Sequence, residues 1–114
     1  MRTSFNMDES NITMIKGDTL SFGIEIDGLE GQSLDSAFFT CKNVPTSDEY
    51  IFRKTLWDGI HNNGNGTYTV RVAPADTANV TAGVYYYDLQ IGINGDVFTV
   101  LLGLLTILQD VTKN

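Results

Sequence analysis

The stretch GVYYYDLQIGINGDVFTVLLGLLTILQDV, at residues 83–111, decides the fold of this chain. Two runs rich in aromatic and β-branched residues meet there at Asn94 and Gly95. A two-residue type I′ turn needs a positive φ at both central positions, which an Asn-Gly dipeptide tolerates well. The sequence therefore predicts a β-hairpin with its turn at these two residues.

The second arm of this hairpin is apolar on both faces. From Val97 to Leu108, only Thr99, Gly103 and Thr106 interrupt the apolar residues. A strand in a small antiparallel domain normally has one polar face, because that face is in water. We therefore expect one face of the arm to fill the core. The other face should be covered by a second subunit, the N-terminal arm or a helix.

The predicted interface consists of residues that alternate along the second arm, together with one residue of the first. These are Phe98, Val100, Leu102 and Tyr86. Beyond Gly103 the assignment of faces changes if this glycine marks a bulge, as glycines within strands often do. We therefore expect these four residues to contact protein, either in a homo-oligomer or in a complex with other subunits.

The rest of the chain consists of short strand patterns separated by turns. The clearest lies at 19–27, where apolar and polar residues alternate as in a half-buried strand. Further strands are predicted at 12–15, 37–42, 50–56 and 67–72. Residues 74–80 predict one helical turn, in which Asp76 is placed to cap the backbone N–H groups that follow it.

No segment shows a helical period over more than two turns, so the predicted fold class is all-β. About seven strands separated by turns indicate a two-sheet antiparallel β-sandwich, and a closed barrel is the structural alternative. We expect residues 1–11 to form a loose N-terminal arm and residues 12–112 to form a single domain.

Composition argues against several kinds of partner. The chain has 14 acidic and 7 basic residues, with a net charge of −7 and no basic cluster, so nucleic-acid binding is not expected. The apolar run at 97–108 is well short of the roughly 20 residues of a membrane helix, so no membrane span is expected.

Cys41 is the only cysteine, and no apolar signal-peptide core follows Met1. Synthesis in a reducing cytoplasm is therefore expected.

No catalytic, cofactor-binding or metal-binding residues are predicted, and we expect the protein not to be an enzyme. His61 is the only histidine and lies in a loop rich in glycine and asparagine. No Ser-His-Asp or Cys-His arrangement and no zinc site is expected from one histidine and one cysteine. The oxygen-bearing residues around this loop lack the spacing and the closing Glu of a calcium loop. They are Asp58, Asn62, Asn63 and Asn65.

Five aromatic residues support an alternative function. Aromatic platforms bind sugars in carbohydrate-binding β-sandwich modules, although core packing is the competing explanation for most aromatic side chains. The five are Trp57, Tyr50, Phe52, Tyr86 and Phe98. The alternative to a protein-binding module is therefore a carbohydrate-binding or adhesive module.

The connection into the first hairpin arm contains an Asp-led turn at Asp76, a small residue followed by Gly83, and Tyr85 two residues later. This arrangement resembles the tyrosine corner of immunoglobulin-like domains, in which the tyrosine hydroxyl bonds to the backbone of the preceding connection. Tyr87 lies where many immunoglobulin domains have their second cysteine. The resemblance implies an immunoglobulin-like sandwich that has no disulfide and a core packed by aromatic residues.

A longer series of motifs extends along residues 12–112. It comprises Lys16-Gly17-Asp18-Thr19, Pro74-Ala75-Asp76-Thr77, Gly83-Val84-Tyr85-Tyr86-Tyr87-Asp88-Leu89-Gln90, Gly95-Asp96-Val97-Phe98-Thr99, Gly103 and Asp110-Val111-Thr112. The order and spacing of these motifs are similar to those of the immunoglobulin-like N-terminal domain of phage and prophage baseplate upper proteins.

This resemblance implies a structural protein of the virion tail or baseplate, made in the bacterial cytoplasm, that contacts itself or other virion subunits. Baseplate upper proteins continue beyond this domain into a linker and a C-terminal region, which the present sequence does not include. The resemblance therefore implies the structural module, and not a receptor-binding or fibre-holding role.

Overall fold

The computed structural model describes residues 2–3, 8–29 and 31–112. These residues form ten strands and one helical turn, α1 (Pro74–Thr77). The strands are β1 (Arg2–Thr3), β2 (Asp8–Glu9), β3 (Ile12–Ile15), β4 (Leu20–Ile26), β5 (Ser36–Lys42), β6 (Phe52–Leu56), β7 (Gly59–Gly64), β8 (Thr67–Val72), β9 (Gly83–Ile93) and β10 (Asp96–Leu108). The all-β prediction is confirmed. Within the described ranges, no helix is long and apolar enough to cross a membrane.

All ten strands belong to one mixed sheet, in the order β1-β4-β8-β7-β6-β5-β9-β10-β2, and β3 also pairs with β10. The sheet curls until it is nearly barrel-shaped. The predicted two-sheet sandwich of about seven strands is not confirmed. Pairing between β6 and β7, on either side of Trp57, joins β1, β4, β8 and β7 to β6, β5, β9, β10 and β2 in a single sheet.

The segment predicted to be a loose arm, residues 1–11, instead contains two short strands. Strand β1 pairs with β4, and β2 pairs with β10, both in parallel. The Ser10 amide donates a hydrogen bond of 3.0 Å to the Leu102 carbonyl oxygen, and the Tyr87 hydroxyl donates one of 2.5 Å to the Ser10 carbonyl oxygen. Residues 1 and 4–7 of the predicted arm lie outside the described residues.

Gly103 allows this N-terminal segment to lie close to β10. A Cβ atom at this position would be 1.9 Å from the Ser10 carbonyl oxygen and 3.1 Å from the Tyr87 ring. The β9–β10 pairing is regular at Gly103, and its irregularity lies between Thr99 and Leu101. Gly103 therefore does not mark the bulge that the sequence left open; it is a glycine whose missing Cβ lets another backbone approach.

The core is built around Phe39, which has no exposed surface. Its ring centroid lies 5.3 Å from that of Tyr87, 5.6 Å from that of Phe22 and 6.0 Å from that of Phe52. Cys41 pairs with Tyr87 across β5 and β9 and is fully buried. Burial raises the pKa of the Cys41 thiol to about 12, so the thiol is protonated and packs as a small apolar group.

The connections that the sequence singled out are held by specific hydrogen bonds. Asn94 and Gly95 occupy the two-residue turn of the β9–β10 hairpin with φ of 54° and 84°. The Asn94 backbone amide donates a 2.8 Å hydrogen bond to the Asp35 carboxylate. Gly83 begins β9, and the Tyr85 hydroxyl donates to the Thr81 carbonyl oxygen, which is the contact of a tyrosine corner.

The sequence predicted that Asp76 caps backbone N–H groups that follow it, but it bonds one that precedes it. Its carboxylate accepts a 2.7 Å hydrogen bond from the Ala73 amide, which precedes α1, rather than from the amides that follow. The same carboxylate forms a 2.7 Å ion pair with Lys54 of β6. Asp76 therefore links α1 to the sheet through Lys54. As the third residue of the helical turn, it also satisfies the backbone amide of the residue that precedes the helix.

We predict that Gly103→Ala destabilises the protein by about 1–3 kcal/mol, the usual effect of overpacking, because the added methyl group meets the Ser10 backbone. Gly23→Ala is the matched control. Gly23 also lies in a strand, but a Cβ there would have its nearest neighbour at 4.0 Å. The control should change stability little or increase it. Chemical denaturation measures both effects, and equal stabilities of the two variants would contradict this account.

Candidate functional site

A bulge at Val100 determines which side chains of β10 reach the surface. Thr99 pairs with Gln90 and Leu101 with Leu89, so Val100 is the extra residue between them. Val100 and Leu101 are both fully buried. Because the bulge adds one residue, the alternation of faces is reversed beyond it. The even-numbered positions after the bulge therefore point outwards.

These outward residues form an apolar strip on the outer face of β3, β10 and β9. It consists of Ile15, Val84, Tyr86, Leu102, Leu104 and Leu108, with exposed fractions between 37% and 55%. Register brings the strip together, because Leu104 lies opposite Tyr86 and Leu108 lies beside Ile15. Cross-strand neighbours on one face are about 5 Å apart, so the apolar side chains adjoin one another along the sheet, with Thr106 as the one polar residue among them, opposite Val84.

A polar margin borders the apolar strip on β5 and β6. Lys42 pairs with Tyr86, and Thr40 pairs with both Asp88 and Arg53. The Arg53 Nε atom donates a 3.0 Å hydrogen bond to the Thr40 hydroxyl. These polar side chains line a concavity of about 250 Å³. The face thus combines an apolar centre with a polar rim, which is the usual organisation of a protein interface.

Asp88 is the half-buried acid of this margin. Burial raises the pKa of its carboxyl group above the ordinary value, and the positive charges of Lys42 and Arg53 partly oppose this increase. The folded pKa lies above the unfolded one. The carboxyl group therefore favours the folded state at low pH, and this contribution is lost as the pH rises through the folded pKa.

The structure separates the four residues predicted to form the interface. Tyr86 and Leu102 are exposed and line one concavity of about 100 Å³ together with Pro45. Phe98 is only partly exposed and packs against the core, and Val100 has no exposed surface. The assumption that Phe98, Val100 and Leu102 share one face was wrong, because the bulge at Val100 turns Leu102 away from the other two.

Four members of the apolar strip were not predicted as interface residues: Ile15, Val84, Leu104 and Leu108. Leu104 and Leu108 lie beyond Gly103, where the sequence left the assignment of faces open. Ile15 enters the strip through the parallel pairing of β3 with β10. No local pattern in the sequence indicates that pairing. Val84 is the one member that the sequence alone could have added, because it lies two residues before Tyr86 in the same strand and therefore on the same face.

The five aromatic residues of the alternative function do not form one platform. Phe52 is buried and Phe98 packs against the core, whereas Tyr86 belongs to the apolar strip. Tyr50 is half exposed, and the Arg53 guanidinium lies 4.6 Å from its ring centroid. Trp57 is 71% exposed and lies elsewhere, at the turn between β6 and β7.

His61 lies within strand β7 and not in the loop that the sequence predicted, and the two asparagines that follow it hold the β7–β8 hairpin. The Asn62 side-chain oxygen accepts a 2.8 Å hydrogen bond from the Gly64 amide, and the Asn63 side-chain amide donates one of 2.8 Å to the Thr69 hydroxyl. Among the described residues, no three His, Cys, Asp or Glu side chains are grouped closely enough to hold a metal ion. His61 is exposed and contacts Trp57.

Comparison with protein-family models gave no match, and comparison with curated proteins gave none either. Solved structures match in fold. The N-terminal domain of phage TP901-1 ORF48 matches with a TM-score of 0.51 and 15% identity, and the match covers 94% of each chain.

The X-ray structure of the endo-β-1,4-mannanase from Thermotoga petrophila matches with a TM-score of 0.58 and 10% identity. This match covers 88% of the present chain, which spans only 18% of the mannanase chain. The extracellular domains of the voltage-gated sodium channel β4 subunit match with a TM-score of 0.46, 12% identity and coverages of 90% and 93%. The likeness to the mannanase and to the phage protein shows the fold.

We predict that Lys42→Met raises the pKa of Asp88 further, because it removes one of the charges that stabilise the carboxylate. Carboxyl NMR titration measures this pKa directly. Lys54→Met is the matched control, since Lys54 pairs with Asp76 instead.

In denaturation between about pH 3 and pH 7, the wild type should lose stability relative to Asp88→Asn as the pH rises. An Asp88 pKa at or below its ordinary value would contradict this prediction.

Proposed function

We propose that this protein is a non-enzymatic structural module of a phage or prophage tail, associated with the baseplate or a fibre, that acts through protein contacts. The observation that carries this proposal is the apolar strip, in which six apolar side chains on one sheet face are each more than a third exposed. A cluster of exposed apolar side chains on one face is typical of sites that bind other proteins.

The charges around the strip favour association through this face. The chain has a net charge of −7, which opposes non-specific contact between copies. Two of its seven basic residues, Lys42 and Arg53, lie at the margin of the strip. Asp88 and Glu9 both lie beside Leu102, so two basic and two acidic groups border the strip and their charges balance, whereas the side chains of the strip itself are uncharged. A second copy or another virion subunit is the partner that we propose for it.

Two likenesses support the phage part of the proposal. The series of sequence motifs resembles baseplate upper proteins, and the fold resembles the N-terminal domain of a phage TP901-1 protein over 94% of both chains. If the proposal is right, the protein is made in the bacterial cytoplasm and becomes part of the particle. Mass spectrometry of purified particles from induced cells would test this. The protein should be present in proportion to known tail subunits, and its absence from intact particles would contradict the proposal.

The second candidate is a carbohydrate-binding or adhesive module. The specific observation in its favour is Trp57, whose side chain is 71% exposed although tryptophan is usually buried. The match to part of a mannanase chain supports the same candidate, since this fold occurs there within a carbohydrate-active enzyme. The two candidates use different surfaces, so each can be tested separately.

We predict that Leu102→Thr combined with Leu104→Thr weakens association at least about tenfold, because apolar burial contributes about 25 cal/mol per Å². Threonine favours strands and should leave the fold intact. Val97→Thr is the control, because Val97 is 63% exposed at the far end of the same strand. Sedimentation velocity measures self-association. A wild-type protein that is monomeric and binds no hydrophobic dye would contradict the role of the strip.

A further inference from the structure

Trp57 belongs to a second surface, on the outer face of β7 and β8. His61 pairs with Thr69 across these strands, and Arg71 lies two residues further along the same face of β8. Together with Asn63, these side chains line a concavity of about 430 Å³. This volume lies within the range of small-molecule sites, roughly 300–1,000 Å³. The apolar strip contributes no residue to this concavity.

The backbone holds Trp57 firmly although its side chain is in solvent. Thr55 and Asp58 exchange two backbone hydrogen bonds of 2.9 Å, and the Trp57 amide donates one of 2.7 Å to the Ile60 carbonyl oxygen. Trp57 has a φ of 72°, a left-handed conformation that bulky residues rarely adopt. Asparagine or glycine would suit this position better, so the fold alone does not explain a tryptophan here.

Apart from the buried Ile60, the side chains that line the concavity around Trp57 are polar. The Trp57 and His61 rings meet edge to face, with centroids 5.8 Å apart and an angle of 85° between their planes. The Asn63 amide is fixed by its hydrogen bond to Thr69. Arg71 provides several donors in a planar group. The concavity therefore offers one exposed aromatic ring beside groups that both donate and accept hydrogen bonds.

We propose that this concavity is a carbohydrate-binding subsite in which a pyranose ring stacks on the Trp57 indole. A pyranose has an apolar C–H face and a rim of hydroxyl groups, which match an aromatic ring bordered by Arg71, Asn63 and His61. A nucleic-acid base would also stack, but the net charge of −7 repels its phosphates. An apolar peptide anchor would require a deeper apolar pocket than this open concavity. The inference rests on the second candidate function and does not depend on the apolar strip.

The fluorescence of Trp57 tests this proposal directly, because it is the only tryptophan of the chain. The probes are cellohexaose, mannohexaose, chitohexaose and oligogalacturonate, each titrated into the full chain. At least one should shift the emission to shorter wavelength, with saturation, and should protect the indole from iodide quenching. If none of the four probes changes the emission or the quenching, the proposal is overturned.

Variants then locate the binding, with affinities from calorimetry. Trp57→Asn should abolish it while keeping the turn, because asparagine tolerates the left-handed conformation. Arg71→Met should weaken it about tenfold or more, whereas Tyr50→Ala, which removes an exposed aromatic ring elsewhere, should not change it. Binding that survives Trp57→Asn would overturn the proposal.

Sedimentation separates this proposal from a protein contact at the same place. Trp57→Asn should leave self-association unchanged, and Leu102→Thr with Leu104→Thr should leave sugar binding unchanged. If Trp57→Asn reduces self-association and no sugar binds, Trp57 is a protein contact and the subsite proposal is wrong. If only the variant with Leu102→Thr and Leu104→Thr loses self-association, the result supports a role for the apolar strip and says nothing about the sugar subsite.

Discussion

The close approach of the Ser10 carbonyl oxygen to Gly103 is the contact on which the arrangement of the sheet depends. Only a residue without a Cβ leaves room for it, and the Tyr87 hydroxyl supplies the hydrogen bond that holds the oxygen in place. The contact brings β2 and β3 alongside β10. An uncovered β10 would be an open edge, which natural proteins avoid because it promotes aggregation. The same pairing brings Ile15 beside Leu108 and extends the apolar strip.

The two candidate surfaces result from two local irregularities in otherwise regular strands. The bulge at Val100 turns Leu102 and Leu104 outwards and creates the apolar strip. The left-handed Trp57 at the β6–β7 turn joins the two parts of the sheet and exposes its own ring. Bulges and strained residues are common at functional sites, where they redirect side chains that regular geometry would bury or misplace.

Local patterns predicted much of the fold, and contacts between distant residues accounted for most of the errors. Alternation and turn chemistry placed the central strands and the hairpin at Asn94, because both depend on nearest neighbours. The pairing of residues 8–9 with β10 and the ion pair of Asp76 with Lys54 join segments far apart in sequence. Within the candidate site, Tyr86 and Leu102 were identified, but Val100 was assigned to the wrong face, because the position of a bulge depends on the partner strand.

The sequence by itself determined the all-β class, the β9–β10 hairpin and the aromatic composition of the core. These features follow from a period of two residues and from the conformational preferences of Asn-Gly, which act over a few positions. Only the tertiary structure decided which leucines of β10 face outwards and that Trp57 lies in solvent beside His61. A shift of one residue exchanges the two faces of a strand, and the register is set by the packing of the whole sheet.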